Sequence, residues 1–110
     1  MSVNKVILVG NLGKEPNVRT SQAGKKIVSF SMATSDSWKD KETGERQEKT
    51  QWHNIVIFNE GLAGIAESYL KKGSKVYIEG ALQTREYEKD GSKKYITEVV
   101  LQGFSATLKM

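Results

Sequence analysis

The chain contains no cysteine, which excludes disulfides, thiolate chemistry and cysteine-ligated zinc. It has a single histidine, His53. One imidazole supplies neither a triad nor a metal cage, so its role is read as structural. Long apolar runs are also missing: Val6 to Val9 is only four residues, far short of a signal core or a membrane span. These absences suggest an intracellular chain with no membrane partner. The acids are scattered through charged loops, and no Ser/His/Asp, zinc-binding or phosphate-loop arrangement occurs, so the expectation is that the chain is not an enzyme and needs no cofactor or metal. Charge of one sign is in modest excess, 17 basic against 13 acidic residues and a net +4. That suits a polyanionic partner, though many soluble domains carry as much. The 110 residues make one domain, able to bury roughly two-thirds of its unfolded surface.

What the sequence does have is two tryptophans in unusual company. Trp38 lies in Ser35-Asp36-Ser37-Trp38-Lys39-Asp40-Lys41, and Trp52 in Glu48-Lys49-Thr50-Gln51-Trp52-His53-Asn54. An indole normally buries its apolar body, so rings flanked by charges and amides point to surface use. Exposed aromatics interleaved with lysines offer flat faces to unstacked bases and cations to phosphates, as single-stranded nucleic acid requires.

The periodicity is mostly two, the mark of strands. A first strand over Val3–Leu12 is apolar on both faces. One small sheet has only one inside, so the second apolar face hints at a subunit contact. Gly10 and Gly13 permit a sharp bend after it, although Gly-x-x-Gly also resembles the loop with which KH domains clamp a nucleic-acid backbone. A second strand runs from Lys26 to about Ser35, with Val28, Phe30 and Met32 on its inner face. Continued alternation would put Trp38 on that face too, so Trp38 is expected beyond the regular part of the strand. Lys39 to Lys49, with eight charged residues around Thr43-Gly44, reads as a long hairpin tip or simply a solvated loop.

The third strand, Thr50–Phe58, sets Trp52, Asn54, Val56 and Phe58 on one face and His53, Ile55 and Ile57 on the other. If the isoleucines face the core, Trp52 and Phe58 face away; the competing reading gives Phe58 to the core at the strand's end. Leu62, Ile65, Ala66, Tyr69 and Leu70 then form the stripe of one amphipathic helix, capped by Asn59 and ended by Lys71-Lys72-Gly73. The fourth strand, Lys75 to about Glu88, turns Val76, Ile78, Gly80 and Leu82 inward and Tyr77, Arg85 and Tyr87 outward. Asp90-Gly91 makes a hairpin turn into a fifth strand from Tyr95 to about Leu101, and Gly103 to Met110 is a candidate extension. Five strands with one helix between the third and fourth is the order of an all-β OB-fold barrel.

Four separated motifs carry a resemblance. Asn4-Lys5-Val6-Ile7-Leu8-Val9-Gly10-Asn11-Leu12-Gly13, Ala33-Thr34-Ser35-Asp36-Ser37-Trp38, Thr50-Gln51-Trp52-His53, and Tyr77-Ile78-Glu79-Gly80 with Thr84-Arg85 resemble the bacterial single-stranded DNA-binding protein family, from Val3 to about Val100. The resemblance implies an OB-fold homotetramer around which single-stranded DNA wraps with little regard for sequence, in the cytoplasm at the nucleoid, during replication, recombination and repair. It implies base stacking on Trp38, Trp52, Phe58 and Tyr87, the last a position where some relatives have tryptophan. Phosphate contacts are implied at Lys5, Arg19, Lys71 and Lys72, and Lys49 and Arg85 join them as outward cations near the rings. Val3, Lys5, Ile7, His53 and Tyr77 are the expected subunit contacts. Glu60 and Glu86 stand where relatives are often basic. The family usually continues into a flexible linker and an acidic tip that recruits replication and repair proteins. This chain stops at Leu108-Lys109-Met110 and is read as a DNA-binding core without that tail, or as a naturally short member. An RNA-binding OB protein and a replication-restart accessory module remain the alternatives.

Overall fold

The computed structural model describes residues 1–103 and 106–110. Its strands are β1 (Val6–Leu12), β2 (Asn17–Thr20), β3 (Lys26–Lys39), β4 (Arg46–Ile57), β5 (Lys75–Lys89), β6 (Ser92–Leu101) and β7 (Thr107–Lys109), with one helix, α1 (Glu60–Tyr69), between β4 and β5. The sheet runs β1-β3-β4-β6-β5, and β5 pairs back onto β1, closing a five-stranded OB-fold barrel. The helix therefore falls between the third and fourth strands of the ring, as the sequence predicts. The closing steps are the β1–β5 ladder from Val6↔Gly80 to Asn11↔Lys75 and a short parallel β4–β6 pairing at Ile55↔Val99 to Ile57↔Leu101.

Alternation puts Val28, Phe30 and Met32 of β3, Ile55 and Ile57 of β4, Val76 and Ile78 of β5, and Val99 and Leu101 of β6 into one core. Two glycines let the walls meet. A Cβ on Gly10 would overlap the carbonyl oxygen of Ala33, and one on Gly80 would lie 2.6 Å from the carbonyl oxygen of Val100. Gly10 and Gly13 are not left-handed; close approach, rather than freedom to bend, explains them. Past Val6 the β1–β5 ladder continues through a side chain. Asn4 Nδ2 donates to the Leu82 carbonyl at 2.9 Å, and the Leu82 N–H donates to Asn4 Oδ1 at 2.8 Å. β1 no longer flanks β5 there, leaving β6 as the strand beside it at Leu82↔Val99, and Leu82 is exposed rather than buried.

Ala63 and Ala66 are the buried positions of α1, followed by buried Leu70 at its C-cap, while Ile65 and Tyr69 stay exposed. The buried stripe is thus rotated toward Ala63 relative to the expected one, since alanines let the helix sit close to β3 and β4. Asn59 caps it as expected, its Oδ1 accepting from the Leu62 N–H at 3.1 Å. Asn59→Ala should cost about 1 kcal/mol of stability, read as a lowered urea midpoint with an unchanged m-value.

β2, exposed along its whole length, escapes the periodicity reading, whereas β7, three residues paired with β5, falls within the expected C-terminal extension. The part of the expected C-terminal extension that falls on Phe104 and Ser105 lies outside the described residues. Asp90 and Gly91 both have positive φ, 54° and 76°, the geometry of a two-residue hairpin turn. No helix among the described residues is long and apolar enough to cross a membrane.

Candidate nucleic-acid interface

The β3–β4 pairing is unbroken from Val28↔Ile57 to Lys39↔Arg46. Both strands therefore run out of the barrel as a regular two-stranded arm, and the molecule is longer (56 Å) than it is wide (37 and 35 Å). This corrects two expectations. Trp38 sits inside the ladder, opposite Gln47, and is exposed because the arm has left the core behind. The charged run is a hairpin tip as expected but a shorter one: Asp40–Glu45 forms it, closed by the Asp40 N–H to Glu45 carbonyl bond at 2.8 Å, while Lys39 and Arg46–Lys49 belong to the strands.

Parity in an unbroken ladder fixes the faces. Trp52 lies opposite Ala33 and shares its face with Ser31 and Asn54. Trp38 shares the other face with Lys49, whose partner is Asp36. The two indoles thus occupy opposite sides of the arm, 49% and 62% exposed for Trp38 and Trp52. The Trp52 ring rests on Gly13, where an added Cβ would lie 2.7 Å from ring carbon Cη2. A recess of about 280 Å³ opens beside it, lined by Gly13, Lys14, Ser31 and Trp52. Lys14 beside the ring was missed by the sequence reading; its only signal was adjacency to Gly13. Val56, on the Trp52 face, is buried, whereas Phe58 just past the end of β4 is exposed.

The β5–β6 hairpin supplies the next stretch of this surface. Tyr87 is exposed opposite Lys94, on the same face of β5 as Arg85. Arg85 Nε donates to Glu98 Oε1 at 2.8 Å, a hydrogen bond that holds the guanidinium above its usual pKa. Arg19 of β2 and Asn54 of β4 meet this ion pair across a second recess. Trp52, Asn54, Arg85 and Tyr87 are therefore brought onto one continuous surface.

Other predicted residues lie elsewhere. Lys71 and Lys72 follow α1, the backbone N–H of Lys72 donating to Glu15 Oε1 at 3.1 Å. Lys5 Nζ pairs with Glu79 Oε1 at 2.9 Å on the outer face of β1 and β5. The hydrogen bond between them raises the Lys5 pKa and lowers that of Glu79. Around this pair Ile7 and Val9 are 54% and 49% exposed, Val3 is exposed, and Tyr77 lies opposite Val9. His53 is not on that face. It is partly buried opposite Met32, with Nε2 in a 2.8 Å hydrogen bond to the Thr34 hydroxyl.

A closed five-stranded barrel with projecting hairpins and a ring-bearing polar face belongs to the oligonucleotide-binding class of β-barrel. Comparison with known proteins narrows this. The model of the single-strand binding protein family matches residues 3–107. The chain is 56% identical over 110 residues to a single-stranded DNA-binding protein of Rhizobium meliloti, covering 99% of this chain and 63% of that protein. It is also 56% identical over 108 residues to one of Rickettsia typhi, covering 97% of this chain and 71% of that one. Among solved structures, a Plasmodium falciparum SSB in complex with ssDNA superposes with a TM-score of 0.88 at 37% identity, covering 98% of this chain and 94% of the other. The chain belongs to the single-strand binding protein family.

Proposed function

We propose that this chain binds single-stranded DNA without strong sequence preference, protecting it during replication, recombination and repair, and that it acts by binding rather than catalysis. The observation that carries the reading is Trp52, an indole propped on a glycine and open to solvent beside Lys14. Each base stacked on an aromatic contributes roughly 1–3 kcal/mol, so Trp38, Trp52, Phe58 and Tyr87 together supply several kcal/mol per subunit. Duplex DNA hides the faces of its bases, so the preference for single strands follows from geometry. Every base has a face, so tolerance of sequence follows as well. Lys5, Arg19, Lys49, Lys71, Lys72 and Arg85 are the proposed phosphate contacts, and each phosphate neutralised steepens the salt dependence by about 0.7 in log–log slope.

The test is intrinsic fluorescence. Oligo(dT) should strongly quench tryptophan emission at low salt, and a duplex of equal length should do little. An unchanged spectrum with oligo(dT) would refute the stacking reading.

Self-association into a homotetramer is part of the proposal. Val3, Ile7, Val9 and Tyr77 form an apolar patch around the Lys5–Glu79 pair, a composition that a second copy would cover. A tetramer with two-fold symmetries needs a further contact, to which we assign His53. Ile7→Asp should reduce the sedimenting mass without unfolding the barrel, because Ile7 points away from the core. A monomeric wild-type chain would remove this part of the proposal.

A further inference from the structure

The Trp52 platform has beside it a cation that no acid holds. Lys5 is paired with Glu79 and Arg85 with Glu98, and Lys49 faces Asp36 across the ladder on the Trp38 side of the arm. Lys14 stands in none of the ion pairs among the described residues. The adjacent acid is engaged elsewhere, since Glu15 Oε1 accepts from the backbone N–H of Lys72 at 3.1 Å. Lys14 is exposed and lines the same hollow of about 280 Å³ as the indole, so an ammonium and a bare aromatic ring border one space.

The backbone that carries Lys14 is pinned. Only residues 13–16 separate β1 from β2, and Pro16 ends that link with a fixed φ. The Gly13 N–H donates to the Ser31 carbonyl at 3.0 Å, and the Leu12 N–H donates to the Ser74 carbonyl at 3.0 Å. Gly13 also touches the ring, where an added Cβ would lie 2.3 Å from Trp52 Cζ3. One short segment thus props the indole with one residue and presents a cation with the next.

We infer that Lys14 and Trp52 clamp the same nucleotide, the indole stacking its base while the Lys14 ammonium neutralises its phosphate. This assignment rests on the single-strand reading above and adds a phosphate contact which that reading left out. The clamp accepts any base, because stacking needs only a π face and a phosphate contact carries no sequence information. The two contacts are coupled. A base held on the ring brings its phosphate to Lys14, and without the ring that phosphate is free to sit elsewhere. Losing one phosphate contact lowers the log–log salt slope by about 0.7, which relative to 1 M salt is a loss of about eightfold at 50 mM and about fourfold at 150 mM.

The experiment follows the anisotropy of an end-labelled oligo(dT) that just fills one subunit's site, a signal that survives loss of the tryptophan. Lys14→Gln should weaken binding by about eightfold at 50 mM salt and lower the slope by about 0.7, with an unchanged melting temperature. Lys14→Arg should restore both affinity and slope. In a Trp52→Ala background, Lys14→Gln should cost about twofold or less, the non-additivity of two groups acting on one ligand. An unchanged slope in Lys14→Gln overturns the inference, and so does an equal loss with and without the Trp52 ring. A gain in affinity would overturn it too, by showing that the lysine covers the ring. If the unaltered chain fails to bind oligo(dT), the single-strand reading falls; if it binds and Lys14→Gln binds equally well, only the clamp falls.

Discussion

Trp52→Ala should weaken oligo(dT) binding by about 1–3 kcal/mol, roughly five- to 150-fold, while leaving the melting temperature almost unchanged. The two halves of this expectation come from one fact. The ring is 62% exposed and lies over Gly13 rather than inside the core, so its removal opens no cavity. A buried tryptophan would behave in the opposite way, costing about 3–5 kcal/mol of stability on truncation. Equilibrium titration and thermal melting of the same preparation separate the cases. A large fall in melting temperature would assign the ring to the fold.

Gly10→Ala should do the reverse, with a large loss of stability and no direct effect on any nucleic-acid contact. The new methyl group would overlap the Ala33 carbonyl oxygen and lie 3.0 Å from its carbonyl carbon. Both belong to the backbone of the adjacent strand, so no side-chain rotation relieves the clash. Relief requires β1 and β3 to separate at Asn11↔Ala33 and Leu12↔Met32, the pairing that joins them. Overpacking of this kind costs about 1–3 kcal/mol and more where backbone must move. Denaturant unfolding should show a clearly lower midpoint; an unchanged midpoint would mean that the seam is looser than described. Gly24→Ala is a useful contrast, because nothing lies within 4 Å of its Cβ position and any cost there comes from its φ of 81° alone.

Period-two alternation made the barrel strands legible, because each strand has one face in the core. Val28-Ser29-Phe30-Ser31-Met32 and Val76-Tyr77-Ile78 declare their inward faces without ambiguity. β2 declared nothing, since all four of its residues are exposed and a strand without an inside has no hydrophobic period. The arm misled for a related reason. Alternation gives the face of Trp38 but not the point at which the core stops, and that point depends on where β1 and β6 cease to flank β3 and β4. Leu82 failed likewise, being apolar on an inward-parity position past the start of β1, where β5 keeps β6 as its neighbour but has lost β1. Of the site, the rings and several cations were legible from composition. The Arg85–Glu98 pair and Lys14 were not, because they meet the face through contacts between distant segments. Resemblance supplied the functional roles, which no spacing rule could have done.

The short strands at the limits of the sheet carry a consequence for solubility. Closure removes the free flanks of the ring itself, and its margins are β2, with four exposed residues, β7, with three, and the outer halves of the two hairpins. Both projecting hairpins alternate lysine, arginine and acidic side chains. Charged side chains along those hairpin edges disfavour pairing of one molecule's strand with another's, the route by which exposed sheets seed fibrils, so the proposed crowding of copies on one single strand would carry little risk of aggregation.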